Sequence, residues 1–154
     1  MSASTVHNAI ITQLGNNSAI ITEFTTVSKG VAKNINITSV GRILSVIFIS
    51  STDLDTDAAQ SIGLSSPVQK VLSLYSFYIA VAFYEPDDSL AEQRKAGYDK
   101  MIRDGIDSDL TFGGVCIGLT NMGKLSLAES PDAEGLYYGI MPVVCYRREE
   151  RGNR

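Results

Sequence analysis

Tryptophan is absent, histidine occurs once, and the 154 residues include only two cysteines and four prolines. With His7 as the only imidazole, a Ser–His or Cys–His nucleophile system has one base to draw on. Nothing around it supplies a nucleophile elbow or an orienting acid, so His7 reads as an exposed helical residue. One histidine and two distant cysteines, Cys116 and Cys145, match neither a closed nor an open zinc ligand set. Two cysteines are also too few for a disulfide framework, and both read as small core residues on strands in a reducing cytoplasm. No basic stretch precedes an apolar run at the N-terminus, so no secretory leader is expected. The longest apolar run, Val71 to Tyr84, is shorter than a membrane helix and carries Ser73 and Ser76, so no membrane partner is expected. Positive charge is also in deficit, with 13 Lys plus Arg against 17 Asp plus Glu, a net charge of −4 and a pI near 4.9. That excludes a surface built to wrap nucleic acid non-specifically, although it permits a ring through which DNA merely passes.

What is present is enough apolar residue, 44% of the chain, for one globular domain over residues 1–154. Val6, Ile10 and Leu14 recur every four residues between Ser4 and Gly15, predicting a short helix over residues 4–14. Ala19 to Val27, rich in Ile and Thr, reads as a strand, and Ser28 to Val40 as an irregular edge. Arg42 to Ser50 predicts a buried or central strand, and Lys70 to Tyr84 a long central one. Between them, Ser51 to Gln69 reads as an exposed loop. Pro86 ends the long strand, and Asp87, Asp88 or Ser89 caps a helix whose periodic positions are Leu90, Arg94, Tyr98, Met101, Ile102 and Ile106. Gly97 and Gly105 weaken it by about 1 kcal/mol each, which predicts a close packing contact at both. Val115–Thr120 and Lys124–Ala128 read as a hairpin turning at Asn121–Gly123. Leu136 to Arg147 predicts a last strand with an edge or bulge at Pro142, followed by a solvated tail at 148–154. The fold class is α+β: a mixed, mostly antiparallel sheet with a short N-terminal helix and one longer helix on one face.

Candidate chemistry is sparse. Asp53, Asp55 and Asp57 have the alternate spacing of a calcium loop, but Ala58 and Leu64 occupy the glycine and bidentate-glutamate positions, so the stretch reads as a solvated loop. Gly113, Gly114 and Gly118 fit neither a dinucleotide nor a phosphate loop and read as a tight turn. Tyr75, Phe77, Tyr78, Phe83, Tyr84, Tyr137 and Tyr138 lie at strand spacing without interleaved Arg or Lys, which suits core or subunit packing better than base stacking. Glu92, Arg94, Lys95, Asp99, Lys100 and Arg103 read as a salt-laced helix face, or as a subunit contact. No cofactor is implied.

One stretch carries a family likeness. A long apolar strand leads into YEPDDSLAEQRKAGYDKMIRDGIDSDLTFGG, a short strand pair, the acidic loop PDAEG and a final strand ending VVCYRRE. This order resembles the tail terminator proteins of long-tailed bacteriophages. The matching positions are Asp109, Leu110, Gly113 and Gly114 in the turn after the helix, Tyr146 and Arg147 at the strand end, and the first helix, Thr5 to Leu14.

The resemblance implies a non-enzymatic virion component: a ring, usually a hexamer, that caps the tail tube, ends its polymerisation and joins tail to head. The implied partners are further copies of the chain, the tail tube protein, a neck or head-completion protein and the tail sheath, with DNA passing without sequence-specific binding. Candidate interface residues are Glu92, Arg94, Lys95, Lys100 and Arg103 on the helix and Asp53, Asp55 and Asp57 in the loop. The alternatives are another neck or tube-completion ring protein, or a small oligomeric ligand-binding domain or enzyme using Tyr98 or Asp99 as polar groups in a pocket.

Overall fold

The computed structural model describes residues 2–29, 42–54 and 68–152. Among these, the chain order is α1 (Ser2–Gly15), α2 (Ser18–Glu23), β1 (Thr26–Lys29), β2 (Ile43–Leu54), β3 (Val68–Tyr84), α3 (Asp88–Asp107), β4 (Gly118–Met122), β5 (Ser126–Glu129) and β6 (Leu136–Gly152). The strands form one sheet in the order β1-β2-β3-β6-β4, with β5 also on β6. Only the β1–β2 pair is parallel. The fold is α+β.

The four-residue spacing in α1 serves burial, since Val6, Ile10 and Leu14 are all fully buried. The strand expected over Ala19–Val27 is in its first half a helix. The Asn17 side chain accepts a hydrogen bond from the Ile20 N–H at 3.1 Å and starts a helical turn, so a local cap and the burial of Ile20 override the β-preference of Ile and Thr. The irregular edge expected from Ser28 begins instead in β1, and residues 30–41 lie outside the described residues.

The loop expected over 51–69 is shorter than that, because both flanking strands run into it. The β2–β3 ladder continues to Leu54↔Leu72, past a bulge between Phe48 and Ser50, and residues 55–67 lie outside the described residues. The solvated tail expected from residue 148 is also strand as far as Gly152, paired with β3 from Arg148↔Leu72 to Gly152↔Val68. Its charge pattern hid this. Glu149 is buried and accepts hydrogen bonds from the hydroxyls of Tyr75 and Ser73, which lets a carboxylate occupy an inward-facing strand position.

The hairpin expected between β4 and β5 does not form. Both pair with β6, β4 along Val143–Tyr146 and β5 along Tyr137–Ile140, as one edge strand broken in two. The break lies opposite Pro142, which has no N–H to give a neighbour but accepts from the Gly123 N–H at 2.8 Å. Cys116, expected on a strand, lies in the turn before β4.

Asp87 caps α3 by accepting from the Ser89 N–H at 2.9 Å. Ala91, Tyr98, Ile102 and Ile106 are buried on this helix, whereas Leu90, expected on the same stripe, is 42% exposed. The far end is closed by a residue from α1: the Gln13 carboxamide donates towards the carbonyls of Gly105, Ile106 and Asp109 at 3.0–3.1 Å. That answers carbonyls that a helix end leaves without intrahelical partners. The core then forms between the helices and one sheet face, where Leu44, Val46, Tyr75, Phe77, Ile79, Val81, Phe83, Met141, Val143 and Cys145 are buried.

Candidate functional site

The α3 surface divides into two parts with different roles. Glu92, Lys95, Lys100 and Arg103 gather along a groove of about 880 Å3 between α3 and the β4–β5 break, lined also by Asp99, Lys124 and Leu125. Two contacts from α3 fix its floor: Asp99 accepts from the Leu125 N–H at 2.8 Å, and Arg103 donates to the Gly123 carbonyl at 3.0 Å. Along the helix, Arg103 pairs with Asp99 at 3.2 Å and Lys100 with Asp104 at 2.6 Å. Glu92, Lys95 and Lys124 leave the groove rim with charge of both signs.

Arg94 takes a different place. Its Nε lies 2.8 Å from Glu85 and its Nη1 3.3 Å from Glu23, which also pairs with Arg42 at 3.0 Å. Tyr98 donates to the same Glu23 carboxylate at 2.8 Å. The Glu85 carboxylate raises the Arg94 pKa further, and burial together with Glu23 pushes the Tyr98 hydroxyl up to about 12. This cluster ties α2, the start of β2, the end of β3 and α3 into one unit. The polar groups considered for a ligand pocket, Tyr98 and Asp99, are thus both bonded within the fold.

Asp53 is on β2, with its carboxylate 2.6 Å from the Ser73 hydroxyl, separated from the α3 groove by β3 and β6. The structure does not bring it together with the helix residues. Asp55 and Asp57 lie outside the described residues. Asp109, Leu110, Gly113 and Gly114 do form a tight turn. Asp109 accepts from the Thr111 N–H, the Thr111 hydroxyl and the Gly113 N–H at 2.9, 2.6 and 2.8 Å. The Thr111 hydroxyl bond, with those two N–H groups, holds its carboxyl below the usual carboxylate range. Phe112, Gly113 and Gly114 follow with φ of 50°, 72° and 86°, a left-handed run in which glycine is the least strained residue.

His7 is half-buried, with Nε2 donating to the Val46 carbonyl at 2.5 Å and its ring 5.4 Å from that of Phe77, so its helix turns it inwards. Cys116 and Cys145 are free and buried. The bond between the two thiols, with burial, pushes that of Cys145 up and the same bond draws that of Cys116 down. Among the described residues, no three His, Cys, Asp or Glu side chains gather where they would hold a metal ion. No described helix is long and apolar enough to cross a membrane.

A larger feature escapes motif reading. The sheet face turned away from the helices carries Leu72, Leu74, Tyr78, Tyr84, Tyr138, Ile140 and Val144, half-buried or exposed, with Tyr138 at 48% and Tyr84 at 44%. Alternation along Lys70–Tyr84 signals two apolar faces, and among the described residues no helix packs on the second.

No protein-family model matches the chain, and no curated protein does. Among solved structures, a chain of the virion of a native gene transfer agent particle is similar in shape, with 12% identity, a TM-score of 0.46 and 94% of each chain covered.

Proposed function

We propose that this chain is a structural subunit of a phage virion neck. Copies of it form a ring, most simply a hexamer, that caps the tail tube, ends its polymerisation and joins the tail to the head around the DNA channel. The supporting observation is the one-sided sheet: among the described residues, helices cover one face, and the other carries exposed Tyr84, Tyr138 and Ile140, a surface suited to a neighbouring molecule. Large exposed apolar patches mark interaction surfaces. The turn at Asp109–Gly114, which carries the likeness to tail terminator proteins, is built as a rigid left-handed corner. Tyr98 and Asp99, the polar groups considered for a ligand pocket, are bonded inside the subunit. The acidic chain suits a passage that does not grip DNA.

Light scattering and negative-stain imaging of the purified protein, alone and mixed with tail tubes, test this reading. Rings, or caps on tube ends, are the expected result; a monomer indifferent to tubes overturns it and returns attention to a small ligand-binding domain.

A further inference from the structure

Two buried thiols meet where the Asp109 turn joins the sheet. The backbone carries Cys116 there: its own N–H donates to the Thr111 carbonyl at 2.8 Å, and the N–H of the next residue, Ile117, donates to the Tyr146 carbonyl on β6 at 2.9 Å. Cys145 precedes Tyr146 on β6, lies opposite Tyr75 of β3 and Leu119 of β4, and is buried on the same face as Met141 and Val143. The two thiols hydrogen-bond to each other, and the Cys145 Sγ also lies 3.8 Å from the Tyr75 carbonyl.

The pair is asymmetric. Cys145 is fully buried, whereas Cys116, in the turn, keeps 5% of its surface, so a small reagent reaches Cys116 first. Arg147 stands two residues beyond Cys145 and so on the same face of β6. Its Nε pairs with Glu149 at 3.8 Å, which also accepts from the hydroxyls of Tyr75 and Ser73. The Arg147 Nη1 is buried with no hydrogen-bond partner among the described residues. The bond from Cys145 and, after it, the Arg147 charge draw the Cys116 thiol down against the effect of burial, while Cys145 keeps its proton. A thiol drawn towards its thiolate and touching a protonated one is the arrangement of an attacking cysteine beside its resolving partner.

We propose that Cys116 and Cys145 form an oxidation site, at which hydrogen peroxide or another small hydroperoxide converts the dithiol into an intramolecular disulfide tying the Asp109 turn to β6. The Cys116 thiolate attacks one peroxide oxygen, the O–O bond breaks, and the departing hydroxide takes a proton to leave as water, with Cys116 now a sulfenic acid. The Cys145 sulfur then attacks the Cys116 sulfur, the S–O bond breaks, and the second hydroxide leaves as water with the Cys145 proton. Two thiols and one peroxide become one disulfide and two waters. The bond closes the segment from β4 through β5 to the middle of β6 into a loop, which stabilises the chain by restricting its unfolded state. The inference stands on these contacts and does not depend on the ring reading.

Hydrogen peroxide added to the reduced, purified protein tests it, read by intact mass, peptide mapping and non-reducing gels. The expected product has lost two hydrogens, joins the Cys116 and Cys145 peptides within one chain, keeps its circular dichroism spectrum and melts at a higher temperature until dithiothreitol reverses the change. The order of reaction is read from two variants. Cys145→Ser is expected to stop at a Cys116 sulfenic acid that dimedone traps, and Cys116→Ser to leave Cys145 unmodified. Arg147→Met is expected to slow the first step several-fold, with Arg147→Lys recovering most of the rate. A folded wild-type protein that keeps both thiols, gains oxygen instead of losing hydrogen, or links only between chains overturns the proposal without needing any variant to fold. Oxidation of Cys116→Ser at the wild-type rate overturns the role given to Cys116.

Discussion

Gly123 donates its N–H to the Pro142 carbonyl at 2.8 Å, and a Cβ built on it stands 2.5 Å from the Pro142 Cγ. The two residues explain each other. Proline interrupts the edge ladder, and only a residue without a side chain lets the displaced edge strand return close enough to bond there. Gly123→Ala is expected to cost about 1–3 kcal/mol, the usual range for forcing a carbon into a packed site, read as a lower urea midpoint at unchanged slope. Pro142→Ala removes the ring atoms, and the double variant is expected to recover part of the loss.

The two glycines of α3 separate in the same way. At Gly105 a Cβ meets Ile20 Cδ1 at 2.9 Å and Leu14 Cδ2 at 3.3 Å, so this glycine is where α3 crosses α1 and α2; at Gly97 nothing lies within 4 Å. Gly97→Ala is expected to stabilise by about 1 kcal/mol through helix propensity. Gly105→Ala is expected to lose that gain and more, because Ile20 must move. Thermal melts of the two variants are expected to shift in opposite directions.

Sequence patterns led directly to the elements that depend on periodicity and capping: α1, β3, α3 and the turn at Asp109. They misled wherever one distant contact outweighed local preference. Asn17 made a helix of an Ile- and Thr-rich stretch, Pro142 turned an expected hairpin into a broken edge strand, and Tyr75 with Ser73 drew Glu149 into the sheet. Glycine content alone cannot say which of Gly97 and Gly105 is packed, since that depends on where α1 and α2 lie. The charged residues of α3 were legible as a face, but their division into groove and internal cluster required the positions of Glu23 and Glu85.

That division determines which variants report on assembly. Arg94 is 30% exposed and bonds Glu85, which is 9% exposed. Arg94→Glu leaves two carboxylates facing a third and is expected to cost about 2 kcal/mol, below the range for fully buried pairs because water reaches this one. Lys95→Glu and Glu92→Lys, on the groove rim, are expected to stay within about 0.5 kcal/mol of wild type. A loss of ring formation or tube capping in the rim variants at unchanged stability therefore marks the α3 groove as an interface. Normal assembly by both removes it from the interface.

The Asp109 turn makes a prediction about acid. The Thr111 hydroxyl and the N–H groups of Gly113 and Thr111 bond the charged carboxylate and lower its pKa from the ordinary 3.8, so the folded state favours the ionised form. The turn's contribution is then fully present above the ordinary value and is lost as pH falls through the lower folded value. Asp109→Asn keeps one acceptor oxygen but no charge. The stability difference between wild type and Asp109→Asn, from urea midpoints, is expected to be constant near neutrality and to shrink as the pH drops below 3.8. The loss is expected to concentrate at Phe112, held at a φ of 50°, where a left-handed aromatic residue depends on its surroundings to stay in place. Amide exchange of Gly113, whose N–H donates to Asp109, should accelerate in the variant while that of the β3–β6 ladder does not, because the turn opens locally before the sheet does.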